Sequence, residues 1–207
     1  MIKQVFFFSG GIVLFLLGCI VYGIIINVRE QTIEEAMNSH GISTLENVHI
    51  VVEQSTYSLN LFSDSILVKK YRAAFGRIKK SKSIIGEKAT PIGSYKICEI
   101  DSSHIYGKFF RLNYPNLEDA ERGLLKKKIT QKEFDQLKFE YYYGKCPNNK
   151  TALGGNIGIH GSGKLDYLIK NLPFVFNWTD GSVAVSNQNI DELYKYVKEG
   201  TVIVINP

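Results

Sequence analysis

The chain has 207 residues, with 25 lysines and arginines against 20 aspartates and glutamates and a formal net charge of +5. That length allows one or two ordinary domains. The basic surplus is scattered, with no aromatic-interleaved basic stripe of the kind nucleic-acid binders show, so it fits contact with anionic surfaces better than a nucleic-acid partner.

The first element is apolar. From Val5 to Val28 no charged residue occurs, and roughly 24 residues at 1.5 Å each span about 36 Å, enough to cross a ~30 Å hydrocarbon layer. The run is longer than the core of a signal peptide, and no Ala-x-Ala cleavage pattern follows it, so residues 1–28 are expected to be an uncleaved transmembrane anchor. Leu16-Leu17-Gly18-Cys19 loosely resembles a lipoprotein box. Apolar sequence continues past Cys19, which is therefore read as an ordinary residue of the anchor.

Residues 29–46 are polar, with a helical patch around Gln31–Met37, and are expected to form a stalk. Period-two alternation then predicts strands at His49–Val52, Ser58–Phe62, Ile66–Val68, Lys70–Gly76, Gly93–Ile100 and Phe109–Tyr114. Next, the period changes. Asn116 with Asp119, and Thr130 with Glu133, place an acid three residues after a capping residue, which predicts two short helices inserted in a β domain. A strand is expected again at Ile157–His160. A helix over Asn187–Glu199 would put Ile190, Leu193, Tyr194 and Val197 on one face, stopped by Gly200, and Thr201–Ile205 closes the chain as a buried strand. Cys98 and Cys146 are either a pair or two buried thiols.

The residues between Gly154 and Asn187 carry the chemistry. His160 ends a strand, and 22 residues later Gly181-Ser182 form a tight turn. An imidazole can accept the proton of a nucleophile, and a glycine lets backbone N–H groups approach a developing oxyanion. Alone, a His-Gly-Ser triplet is more often an ordinary turn. No metal constellation is visible: the four histidines are dispersed, with no His-Glu-x-x-His and no Cys-x-x-Cys. No nucleotide cofactor is expected either, since Gly154-Gly155 and Gly161-x-Gly163 lack the strand, glycine loop and helix setting such a group needs.

Several segments in succession resemble one family. Gly86-Glu87-Lys88-Ala89-Thr90-Pro91-Ile92-Gly93-Ser94-Tyr95-Lys96-Ile97 is similar to the Gly-x-x-x-Thr-Pro-x-Gly-x-(Tyr/Phe)-x-Ile segment of L,D-transpeptidases of the YkuD type. Leu112-Asn113-Tyr114-Pro115-Asn116 resembles their (Ile/Leu)-x-Tyr-Pro-Asn element. Trp178-Thr179-Asp180-Gly181-Ser182-Val183-Ala184-Val185-Ser186-Asn187 is similar to the Trp-Thr-x-Gly-Cys-Ile-Ala-(Val/Leu)-(Thr/Ser)-Asn motif of an envelope-anchored subgroup. The likeness covers nearly all of 47–207.

This resemblance implies a mainly β fold, a sandwich or barrel-like sheet with helices at its side. It implies His160 as general base, Ser182 at the nucleophile position, and backbone N–H groups near Gly181 and Ser182 as an oxyanion hole. Gly161, Ser162, Tyr114, Trp178, Thr179 and Asp180 become candidate substrate contacts. For Tyr114 and Trp178 simple packing is the alternative, and for Asp180 a solvated turn. Expected partners are peptidoglycan stem peptides, cleaved or transferred at the L,D bond, and the membrane of a single-pass anchor. The domain is then expected on the periplasmic or outer face of a bacterial cytoplasmic membrane.

The departure is central. The family has cysteine where this chain has Ser182, and a hydroxyl is far harder to ionise than a thiol of pKa about 8.5. Ser182 is then an introduced replacement, a natural inactivating one that leaves a peptidoglycan-binding pseudoenzyme, or the nucleophile of a serine acyltransferase.

Overall fold

The computed structural model describes residues 2–28, 30–172 and 174–207. Among the described residues, eight strands form the body: β1 (His49–Glu53), β2 (Ser58–Ser63), β3 (Ile66–Arg72), β4 (Gly93–His104), β5 (Gly107–Leu112), β6 (Gly158–His160), β7 (Val183–Ala184) and β8 (Val202–Asn206). They hydrogen-bond in the order β3-β2-β1-β8-β4-β5-β6-β7. Two pairs are parallel, β1 with β8 and β6 with β7. The sheet curls until its ends meet. Just past β3, Ala74 exchanges both backbone bonds with Ala184 of β7 at 2.8 Å. That closure removes exposed edges and gives the barrel-like sheet expected from the resemblance.

The core lies inside this curl. Ile50 and Val52, Leu59 and Leu61, and Ile203 and Ile205 are fully buried, as alternation requires of strands with one face inward. The expected strand at Lys70–Gly76 is instead the end of β3, followed by isolated bridges at Ala74 and Gly76.

Among the described residues are the α-helices α1 (Ile2–Val28), α2 (Ile33–Ser39), α3 (Leu117–Leu125), α4 (Gln131–Tyr142), α5 (Asp166–Lys170) and α6 (Asn187–Tyr194), with a 3-10 turn at Gly163–Leu165 leading into α5. Both expected capping boxes form, Asn116 with Asp119 and Thr130 with Glu133. Each satisfies backbone N–H groups that a helix start leaves open. α3 and α4 bury Ala120, Ile129, Leu137 and Leu153 in a small core of their own. α6 stops at Tyr194, sooner than expected; Ile190, Leu193 and Val197 still reach the main core, while Tyr194 lies outside it and stacks toward Phe110.

One feature departs from the local reading, and one open alternative is resolved. The residues expected to be a stalk are packed on the domain: α2 has a complete capping box at Thr32 and sends Ile33 and Met37 into the main core. Lys195 reaches Glu34 at 2.9 Å, and Asn189 reaches Glu30 at 3.1 Å. Cys98 on β4 is joined to Cys146 by a disulfide, with Cα atoms 5.4 Å apart.

Within α1, Lys3–Ile25 is long and apolar enough to cross a membrane, and none of its apolar window is buried against the domain. By length and composition it is a candidate membrane-spanning or signal helix.

Candidate active site

β6 and β7 run side by side in parallel, with Ile159 opposite Val183 and His160 opposite Ala184. Successive side chains alternate between faces. Ile159 and Val183 therefore enter the core, while His160 and, one position before Val183, Ser182 share the other face. Both line one groove of about 520 Å³. The sequence expectation that joined these two residues concerns this groove.

His160 is only 4% exposed. Its Nδ1 lies 2.7 Å from the carbonyl oxygen of Gly161, which can only accept, so the ring nitrogen there donates. In the neutral ring this leaves Nε2 as the free acceptor. Burial holds the His160 pKa below the usual imidazole value; the Gly161 hydrogen bond pulls it up, and His104 pushes it down. The neutral, proton-accepting form is thus favoured.

The ring sits in an aromatic surround. Tyr106 stacks on it at 4.9 Å, Trp178 meets it edge-on at 5.8 Å, and Phe109 and His104 lie beyond at 6.3 and 6.5 Å. Tyr106 and His104 come from the tip of the β4–β5 hairpin, whose long strands fold over the groove. Neither residue is among the candidates that the sequence offers. The available signal was Gly107, which marks the hairpin turn with a positive φ of 88°.

Ser182 is 8% exposed, and its Oγ accepts the backbone N–H of Gly158 at 3.2 Å. The hydroxyl and the imidazole each bond to backbone, not to one another. The turn before Ser182 is held by Thr179: its Oγ1 donates to the Ser182 carbonyl at 2.6 Å and accepts the Gly181 N–H at 3.2 Å. The Gly181 amide, expected in an oxyanion hole, is thereby engaged. Gly181 has φ 128°, and a Cβ there would lie 2.8 Å from the Ala89 carbonyl oxygen, so conformation and space both require glycine.

The other candidate contacts divide. Trp178 lines the groove, and its Oδ-bearing neighbour Asp180 stands on the rim, 72% exposed and 3.7 Å from both Arg77 and Lys88. Thr179 lines the groove too, but is buried and committed to the turn. Gly161 is a packing position, since a Cβ there would meet Asn187 Oδ1 and the Tyr106 carbonyl at 2.6 Å. Ser162 donates to the Val185 carbonyl at 2.9 Å and lines a separate apolar groove. Tyr114 is 1% exposed, bonds to the Leu153 carbonyl and packs edge-on against Tyr95 in the core. Ser162, just past β6, and Tyr114, just past β5, are thus engaged outside the groove that holds His160.

Among the described residues, no group of three or more His, Cys, Asp or Glu side chains is placed to hold a metal ion.

Comparison with known proteins fits this architecture. The profile of the YkuD family, the L,D-transpeptidase catalytic domain, matches residues 47–205. No match to a curated protein was found. Among solved structures, a point mutant of the helical cell shape determining protein Pgp2 from Campylobacter jejuni superposes with a TM-score of 0.50 at 18% identity, over 84% of this chain and 54% of that one. Bd1075 from Bdellovibrio bacteriovorus gives 0.48 at 22% identity, over 78% of this chain and 48% of that one. An L,D-transpeptidase from Xylanimonas cellulosilytica gives 0.42 at 15% identity, over 83% of this chain and 68% of that one. The chain therefore spans about half the length of the first two. With the profile covering residues 47–205 and the curled sheet in place around His160 and Ser182, the chain belongs to the YkuD L,D-transpeptidase catalytic domain family.

Proposed function

We propose that this protein is a membrane-anchored peptidoglycan-remodelling domain acting on the L,D bond of wall tetrapeptides, with α1 crossing the cytoplasmic membrane and the groove on the outer or periplasmic side. The observation that carries this reading is the convergence of His160 and Ser182 on one face of the β6–β7 pair, within one groove.

In this reading Nε2 of His160 takes the proton of the residue at 182 as that residue attacks the peptide carbonyl. The Gly161 carbonyl holds the ring in the required tautomer. An acyl-enzyme forms, the amine of the bond leaves with a proton, and a second amine or water resolves the ester or thioester. Arg77 and Lys88 at the rim supply positive charge for the carboxylates of a stem peptide. The Cys98–Cys146 disulfide supports placement outside the reducing cytoplasm.

One observation favours a second reading, a peptidoglycan-binding pseudoenzyme. Ser182 and His160 are not hydrogen-bonded to each other, and the group orienting His160 is a neutral carbonyl instead of a carboxylate that would stabilise an imidazolium. Muropeptide mass spectrometry of the serine protein beside Ser182→Cys separates the two. Turnover by the cysteine form alone supports a family site silenced by serine. Rapid turnover by the serine form that His160→Ala abolishes establishes a serine enzyme. No turnover by either form rejects the catalytic reading.

A further inference from the structure

The segment from Leu165 to Phe176 exposes five large apolar side chains close together in sequence: Leu165, Tyr167, Leu168, Phe174 and Phe176 are between 43% and 67% exposed. Isolated exposed hydrophobics are ordinary, but a cluster of this size marks an interaction surface. Between this segment and Ala73–Ala74 lies an apolar groove of about 430 Å³, to which Ile169, Phe174 and Phe176 also contribute.

The same segment touches the end of α1. Gly23 is buried against Asn171, so tightly that a Cβ would fall 1.6 Å from the Asn171 carbonyl oxygen. Ile24 shares a crevice with Tyr167 and Lys170. Gly23 lies two residues inside the end of the Lys3–Ile25 apolar stretch, about 3 Å of helix rise. A bilayer crossed by α1 therefore has its headgroup layer at the level of α5.

We propose that residues 165–172 and 174–176 dock into the lipid interface of the bilayer that α1 crosses, as an amphipathic membrane-contact element. This rests on the transmembrane reading of α1. Tyr167 and the two phenylalanines suit the boundary between headgroups and acyl chains. Charge plays little part. Lys170 stands 3.9 Å from Asp166, and Glu30 lies across the groove from Lys170 and Arg72, so the attraction is apolar and independent of anionic lipid. Trp178 lines both this groove and the one holding His160 and Ser182. Docking fixes the candidate active site beside the membrane, so the peptides it reaches are those lying near the lipid surface.

The test uses the full chain in two sets of phosphatidylcholine bilayers, with acyl chains brominated just below the headgroups to probe sites 168 and 174, or near the chain ends to probe site 14. Tryptophan is placed at Leu168 or at Phe174, with Leu14→Trp reporting the span and the parent chain, whose only tryptophan is Trp178, giving the background. An interfacial element sits about 5–10 Å into the boundary, where bromine lowers the added emission about twofold or more. Quenching of Leu168→Trp and Phe174→Trp together with Leu14→Trp, unchanged by anionic lipid, supports docking. Quenching of Leu14→Trp with Leu168→Trp and Phe174→Trp open to aqueous iodide overturns docking and leaves the anchor intact. Shielding of those two sites from both bromine and iodide overturns it in favour of a protein cover. Failure of Leu14→Trp to quench removes the anchor, and docking with it.

Discussion

The backbone N–H of Gly158 donates to Ser182 Oγ across the β6–β7 pair at 3.2 Å. This bond holds the side chain at 182 in the groove with His160 and takes one of the two hydroxyl lone pairs. A larger, more polarisable sulfur accepts such a bond weakly and ionises near neutrality.

Ser182→Cys is accordingly expected to raise acyl transfer on tetrapeptide substrates by about 100-fold or more, because activation no longer needs full proton removal from an alcohol during attack. In that cysteine form His160→Ala should lower the rate by about 100- to 10,000-fold, the usual range for loss of a general base. Product formation followed by mass spectrometry checks both. Equal rates for the serine and cysteine forms would count against position 182 as the nucleophile.

The His160 ring should titrate below the ordinary imidazole pKa of about 6.5, because burial disfavours its cation. Its folded pKa is depressed, so its contribution to stability is present above about pH 6.5 and is lost as pH falls through the folded value. NMR of the ring in the serine protein, where no thiolate complicates the titration, reads this directly. Tyr106→Ala should move the pKa back toward the ordinary value by opening the stacked face to water.

Thr179 is expected to matter to stability more than to peptide binding. Thr179→Val leaves the Ser182 carbonyl and the Gly181 N–H without their partner, which costs about 1–3 kcal/mol for buried groups. Denaturant unfolding compared with peptide affinity in the folded protein distinguishes this from a direct contact role.

Reduction of Cys98–Cys146, which are 48 residues apart, should cost up to about 4 kcal/mol by release of loop entropy in the unfolded chain. The shift in denaturant midpoint with and without reductant measures it. A Cys98→Ala, Cys146→Ala double variant should show the same loss and be insensitive to reductant.

Much of this architecture was legible one residue at a time. Strand alternation at 49–53, 58–63 and 202–206, the caps at Asn116 and Thr130, and the apolar length of α1 all depend on neighbours within a few positions, where backbone period and local hydrogen bonds decide. The pairing of His160 with the 182 position was legible from ordered motifs resembling a family. Only the folded chain decided the rest. Tyr114 packs against Tyr95 in the core and Ser162 bonds to the Val185 carbonyl, so both are engaged outside the groove. The β4–β5 hairpin carried His104 and Tyr106 over His160 from more than 50 residues upstream. Burial of Ile33 and Met37 made part of the domain out of a polar segment that reads as a stalk. Each of these depends on contacts between residues far apart in sequence, whose meeting is set by how curled strands pack and not by the residues that flank them.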